Sequence, residues 1–231
     1  MNSEEALAND YKTKDFKTYF QRERQEMLGY IPQKSHTILD VGCGAGGFGQ
    51  FLKAQRPVEV WGVELNERAA SVAAQKLDHI VCGAFNNSLN LPSKSFDCIV
   101  FNDVLEHLVD PFTALIYSKE LLRDEGVLVA SIPNVRYFDN MWNLLVYKDW
   151  QYADCGILDR THLRFFTRHS ILTTFDALGY YVECIEGINP VEKEHPHQAR
   201  KFRLLNRLSL NRIEDMRYLQ FAVVARPNVA L

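Results

Sequence analysis

Ile38-Leu39-Asp40-Val41-Gly42-Cys43-Gly44-Ala45-Gly46-Gly47 decides how this chain is read. Apolar residues run into an acid and then into glycines, and an apolar helical face, Phe48, Phe51 and Leu52, follows. The pattern predicts a buried strand, a tight turn and the N-terminus of a helix. Glycine has no Cβ, so such a turn lets the backbone approach a ligand closely.

Gly42, Gly44 and Gly47 satisfy the spacing G-x-G-x-x-G, which suggests a dinucleotide. Asp40 argues against one. A carboxylate two residues before the first glycine lies near where a pyrophosphate would sit, and like charges repel. The same carboxylate suits a cation. S-adenosyl-L-methionine carries an ammonium and a sulfonium, so Asp40 and the turn together favour it over NAD. The stretch also resembles the glycine-rich first motif of class I S-adenosylmethionine-dependent methyltransferases, in which D-V-G-C-G-x-G is highly specific.

The 231 residues suffice for one α/β domain with extra acceptor-side structure. We divide it into N-terminal helices (1–36), a cofactor-binding core (37–134), an acceptor lid (135–167) and the C-terminal part of the sheet (168–231). A net charge of -3 gives no electrostatic reason to expect nucleic acid. No apolar run is long enough to span a bilayer, so no membrane insertion is expected. Met1-Asn2-Ser3-Glu4-Glu5 lacks the basic start and apolar core of a signal peptide. The cysteines, Cys43, Cys82, Cys98, Cys155 and Cys184, are scattered and form no CxxC, which fits reduced thiols and a cytoplasmic address.

Between Tyr11 and Gly29, residues Phe16, Tyr19, Phe20, Glu23 and Met27 predict one or two helices, broken by Pro32. A tyrosine of this stretch leaning over the cofactor's methionine end is one reading of it; a packing helix is the other. Strands are expected at Thr37 to Val41, Val58 to Val63, His79 to Cys82, Phe96 to Phe101 and Val127 to Ile132. Helices are expected at Gly46 to Gln55, Asn66 to Leu77 and from Pro111 to near Arg123. This alternation predicts a parallel sheet with helices on both faces. Ligands of such sheets sit beyond the carboxyl ends of the strands. That directs attention to Asp40 to Gly47, Glu64 to Asn66, Gly83 to Phe85, Asn102 to His107, and Pro133 with Asn134. Glu64, closing the second strand, suits the two hydroxyls of a ribose, a device that adenosylmethionine and dinucleotide sites share.

Ser95 to Leu108 resembles the fourth methyltransferase motif, and Leu122-Arg123-Asp124-Glu125-Gly126-Val127-Leu128-Val129 the helix-to-strand motif after it. The resemblance covers Ile38 to Asn134 and is to the small-molecule branch of the class I enzymes. It implies a Rossmann-like α/β fold: a seven-stranded, mostly parallel sheet with an antiparallel last strand and helices on both faces. It implies S-adenosyl-L-methionine as cofactor, with Asn102 beside the methionine moiety. Members often carry an acid after strand 3 for the adenine amino group; Gly83-Ala84-Phe85 stands there instead. Adenine is then left to backbone amides and apolar contact with Phe85. The candidate cofactor residues are Asp40, Gly42, Gly44, Glu64, Leu65, Ala84, Phe85 and Asn102.

Tyr137, Phe138, Met141, Trp142, Leu144, Leu145, Val146, Tyr147 and Trp150 form a dense apolar run, expected as a helical lid after strand 5. A helix docked on the core or a homodimer contact reads the run nearly as well. Gly156 to Thr167 sets Asp159, Arg160, His162 and Arg164 among apolar residues, where unpaired burial would be costly. That segment resembles a signature of bacterial methyltransferases linked to cell-surface saccharide synthesis. Its arginines suit phosphate or carboxylate and His162 suits a proton. Thr167 is expected to cap a helix from Arg168 to Leu178, ended by Gly179. Strands Tyr180 to Glu186 and Tyr218 to Ala225 would complete the sheet as an antiparallel hairpin. Between them, Asn189 to Ser209 is basic and reads as a solvated face or as a surface for an anionic acceptor.

The expected reaction is methyl transfer to a small-molecule acceptor, such as a saccharide or its nucleotide- or lipid-linked precursor. His107 and His162 are the candidate bases. Glu106 with His107 offers two metal ligands, too few to assign a metal site. The competing readings are a NAD-dependent oxidoreductase and a methyltransferase-like binding protein without turnover.

Overall fold

The computed structural model describes residue 20 and residues 23–228. Most of the N-terminal stretch from Tyr11, with Phe16 and Tyr19, lies outside them, so the tyrosine expected there does too. Within the described part, Gln25–Tyr30 forms a 3-10 helix rather than a longer one.

Thr37–Val41 (β1) is buried after its first residue. It runs parallel to Glu59–Glu64 (β2) on one side and to Phe96–Asn102 (β4) on the other. His79–Cys82 (β3) adds to β2, and Leu122–Pro133 (β5) adds to β4. Tyr218–Pro227 (β7) inserts antiparallel between β5 and Tyr180–Pro190 (β6). The seven strands stand in the order β3-β2-β1-β4-β5-β7-β6. The expected fold class is the one observed: α/β, mostly parallel, with the last strand antiparallel.

Side chains of a strand alternate between faces. Ile38 and Val100 therefore pack beneath the sheet with Phe48, Leu52 and Met27. Leu39, Val41, Ile99 and Phe101 pack above it with Leu115, Ile171 and Phe175. The first group carries the helix Gly47–Gln55 (α1), the second the helices Pro111–Leu121 (α3) and Arg168–Ala177 (α5). From β1 the chain winds outward to β2 and β3, then crosses back to β4. Strand order thus reverses at β1 and β4, and the crevice beyond their carboxyl ends is where such sheets hold ligands.

Several boundaries differ from the sequence reading. The helix begun at Asn66 spans only Glu67–Ala73 (α2); the side chain of Asn66 accepts from the amide of Ala69 as its cap. The chain then turns so that Asp78 accepts from the amide of Val60, aligning β3 beside β2. β6 extends to Pro190 because its pairing with β7 continues to Tyr218. Thr167 caps α5 as expected, in a reciprocal capping box with Ser170.

The lid differs more. Its helix, Phe138–Trp142 (α4), is short and passes into a π-turn at Asn143–Tyr147. Two further helices, Val191–Glu194 (α6) and Pro196–Leu208 (α7), lie against it. Tyr137 and Phe138 are buried with Val191 and Phe202 in a small core of their own. Leu145 is 74% exposed. The front of the apolar run is therefore packing, and its second half, Leu144 to Tyr147, faces solvent.

Candidate active site

A cavity of about 370 Å³ opens at the crevice between β1 and β4. Seven of the ten residues named from sequence line it: Asp40, Gly42, Gly44, Glu64, Asn102, His107 and His162. Leu65, Ala84 and Phe85 do not. Phe85 turns into the core, with its ring centroid 5.6 Å from that of Phe101 and 5.3 Å from that of Tyr117. The adenine contact expected of its ring is therefore not what its packing serves. Arg160 and Arg164 also lie outside the lining. Arg160 pairs with Asp154 at the surface, and Arg164 donates to the carbonyl of Val109.

The glycine turn is shaped by its neighbours. Gly42 has φ +68 and Gly44 φ +55. A Cβ on Gly44 would lie 2.7 Å from the carbonyl oxygen of Phe20, and one on Gly42 2.6 Å from a methyl of Val104. Both the backbone angle and the space exclude a side chain there.

Asp40 is 2% exposed, and its Oδ2 has no hydrogen-bond partner. Burial, and then the charge of Glu64, push its carboxyl up to about 8. A cation in the cavity would reverse that, because an opposite charge favours the ionised form. Glu64 is placed by two backbone amides: its Oε2 accepts from Gly44 and its Oε1 from Asn66, each at 2.8 Å. Burial raises its pKa, and those amides oppose the rise. Each carboxylate oxygen has a second lone pair left for a ligand hydroxyl. Both polar atoms of the Asn102 side chain are buried and without hydrogen-bond partners. Orphaned polar atoms of this kind ask for a ligand. The acid, the glycine cradle and Asn102 thus fit the charged, hydrogen-bonding methionine end of S-adenosyl-L-methionine.

The chain after β4 forms a 3-10 turn at Leu105–His107. The carbonyl of Glu106 accepts from the amides of Leu163 and Arg164, at 2.8 and 3.1 Å. These bonds fasten the segment from Gly156 to Thr167 over the cavity. Asp159 Oδ1 accepts from the amide and hydroxyl of Thr161, which shapes that segment's own turn. As a result the rings of His107 and His162 meet at 4.6 Å. Burial, and then His162, lower the pKa of His107 to about 4. Burial, and then the charge of Asp103, hold Glu106 well above the usual carboxylate range.

Sequence reasoning did not single out Arg24, Asp103 or Gln220, which also line the cavity. Arg24 lies 3.0 Å from an oxygen of Asp103 and bonds Gln220, and Gln220 bonds Asp103 in turn. The φ of +55 at Asp103 turns the chain there, and no local pattern signals it.

Residues 11–185 match the family described as a methyltransferase domain. The ubiquinone biosynthesis O-methyltransferase of Cereibacter sphaeroides is 30% identical over 132 residues, covering 54% of this chain and 51% of that protein. The enzyme of that name from Actinobacillus pleuropneumoniae is 28% identical over 122 residues, covering 46% and 52%. The chain thus spans about half the length of these curated relatives. The crystal structure of a SAM dependent methyltransferase from Archaeoglobus fulgidus superposes with a TM-score of 0.65 at 22% identity, covering 91% of this chain and 97% of that one. The chain belongs to the methyltransferase domain family.

Proposed function

We propose that this chain transfers the methyl group of S-adenosyl-L-methionine to a hydroxyl oxygen of a small molecule. The observation that carries the reading is Asp40: a buried carboxylate with an unpartnered oxygen, lining the cavity beside a glycine turn. Asp40, Gly42, Gly44, Glu64 and Asn102 would hold the cofactor, which supplies a methyl group already activated on a sulfonium. The remaining task is alignment of donor and acceptor. An O–C bond forms as the S–C bond breaks, the sulfonium charge is discharged, and the hydroxyl proton leaves. His107 and His162 are the candidate catalytic residues for that proton, both in the cavity lining.

Oxygen is favoured as the acceptor atom because the curated relatives are named as O-methyltransferases of ubiquinone biosynthesis. A phenol or quinol precursor and a sugar hydroxyl both satisfy the chemistry. Arg160 and Arg164, whose chemistry suits phosphate or carboxylate, stand outside the cavity lining, which weighs toward the phenol. The test is to incubate the chain with methyl-labelled S-adenosylmethionine and a panel of catechols, polyprenyl phenols and sugar nucleotides. Label on an oxygen of one class identifies the acceptor. A melting temperature raised by NAD and not by S-adenosylmethionine would overturn the reading in favour of an oxidoreductase. Cofactor binding without label transfer, to the panel or to cell extract, would favour a binding protein.

A further inference from the structure

Three side chains on the acceptor wall are arranged in a way that methyl transfer alone does not require. Glu106 is 1% exposed, and neither of its carboxylate oxygens has a hydrogen-bond partner. Burying a carboxylate without donors is costly. His162 Nε2 stands 3.9 Å from Glu106 Oε1. His107 Nδ1 donates to the carbonyl of Thr161 and His162 Nδ1 to that of Ile157, at 3.1 and 2.9 Å. A carbonyl only accepts, so each neutral ring carries its proton on Nδ1 and keeps Nε2 as its lone-pair nitrogen. Backbone carbonyls holding Nδ1 in this way are the support that metal-binding histidines receive. One ligand atom from each of Glu106, His107 and His162 lies within 4.8 Å of the other two. In the unliganded chain a proton on Glu106 relieves the crowding of these lone pairs; a cation held between them would take its place.

We propose that Glu106, His107 and His162 bind one divalent transition-metal ion at the acceptor end of the cavity. Two imidazoles and one carboxylate select an ion of the manganese-to-zinc series, because magnesium and calcium prefer sets of oxygens. Three protein ligands leave coordination positions open. An acceptor with two neighbouring oxygens, a catechol or a vicinal diol, would fill two of them. The ion would favour the ionised form of the hydroxyl to be methylated, and because it would occupy the lone pairs of His107 and His162, the proton would pass to solvent in place of those rings. The ion's role rests on the methyl-transfer reading; its binding does not. His162 completes the set only because the amides of Leu163 and Arg164 tie its segment to Glu106.

The experiment uses the full chain without a histidine tag, stripped with a chelator and then freed of it. Cobalt(II) is titrated in and followed by its visible absorption, and zinc is titrated in a calorimeter. One equivalent should bind, with the absorption of a nitrogen-ligated ion, and zinc should raise the melting temperature. Glu106→Gln and His162→Gln should each weaken binding by about 100-fold or more, since loss of a mere supporting partner already costs about 10–100-fold. Heat on S-adenosylmethionine titration checks that each variant is folded. If neither variant folds, manganese(II) paramagnetic resonance on the wild-type chain decides, with a shift from the aqueous spectrum expected. The proposal falls if the wild-type chain takes up no ion saturably, or if both folded variants bind as tightly as it does. Ion binding without methyl transfer to any acceptor would overturn the reaction and leave the ion site standing. Methyl transfer by a chain that binds no ion would do the reverse.

Discussion

The side chain of Glu64 accepts a hydrogen bond from the backbone amide of Gly44 at 2.8 Å, so the acid of the second strand holds the turn of the first. Its other oxygen accepts from Asn66, which in turn caps α2. A residue expected to touch the ligand thus also shapes the cradle. Glu64→Gln keeps one accepting oxygen and places an amide group against an N–H. We expect S-adenosylmethionine to bind about 10- to 100-fold more weakly, from the loss of one charge-assisted bond of ~1.5–3 kcal/mol. Isothermal calorimetry measures it. Unchanged affinity would remove Glu64 from the site.

Asp40 links cofactor binding to pH. Its carboxyl is raised to about 8, so at neutral pH it is largely protonated before the cofactor arrives. A cationic ligand favours the ionised form, so binding releases a proton and affinity should rise from pH 6 to 7.5. Calorimetry in two buffers of different ionisation enthalpy should report the release. Asp40→Asn should abolish it and weaken binding by about 100-fold, the scale of losing one partner of a buried charge pair.

The same shift sets a stability trend in the unliganded chain. Between the unfolded carboxylate pKa of ~4 and the folded value of about 8, the folded chain holds a proton that the unfolded chain has lost. Asp40 therefore lowers stability progressively as pH rises through that window. Asp40→Asn should raise the unliganded melting temperature most at pH 8 and least near pH 5. An equal gain at both would show that burial does not shift this group.

Gly44→Ala meets two penalties, a positive φ and a Cβ 2.7 Å from the carbonyl oxygen of Phe20. Backbone strain of this kind costs about 1–3 kcal/mol. The amide of Ala45 also donates to that carbonyl, so the chain before the 3-10 helix must shift with the turn. Urea unfolding should show the loss, and cofactor affinity should fall with it.

Asn134 is buried after β5, donating to the carbonyls of Asp215 and Tyr218 and accepting from the amide of Arg136. Asn134→Ala leaves three backbone groups without this partner. We expect a loss of about 2–4 kcal/mol in denaturant unfolding, as several buried groups become unsatisfied together. A loss below ~1 kcal/mol would mean that water replaces the side chain.

Much of the cofactor half was legible because its signals are local. Asp40, Gly42 and Gly44 sit within one turn, and the strand before them is the near-continuous apolar run that a strand covered on both faces requires. The packing of Phe85 was not legible for the converse reason: its neighbours Phe101 and Tyr117 come from other elements, and they draw the ring into the core. Tyr137 and Phe138 read in sequence as part of a lid or of a helix docked on the core, and in space they pack, because α7 brings Phe202 against them.

The order of strands and helices, the acid before the glycines and the breaks between elements follow from residues a few positions apart, whose periodicity and backbone freedom act locally. Tertiary structure alone decided that β7 enters between β5 and β6, that Arg24 reaches Asp103, and that His162 meets Glu106 and His107. Those meetings join segments far apart in the chain, and they are set by how whole elements bury their faces and satisfy their backbone bonds.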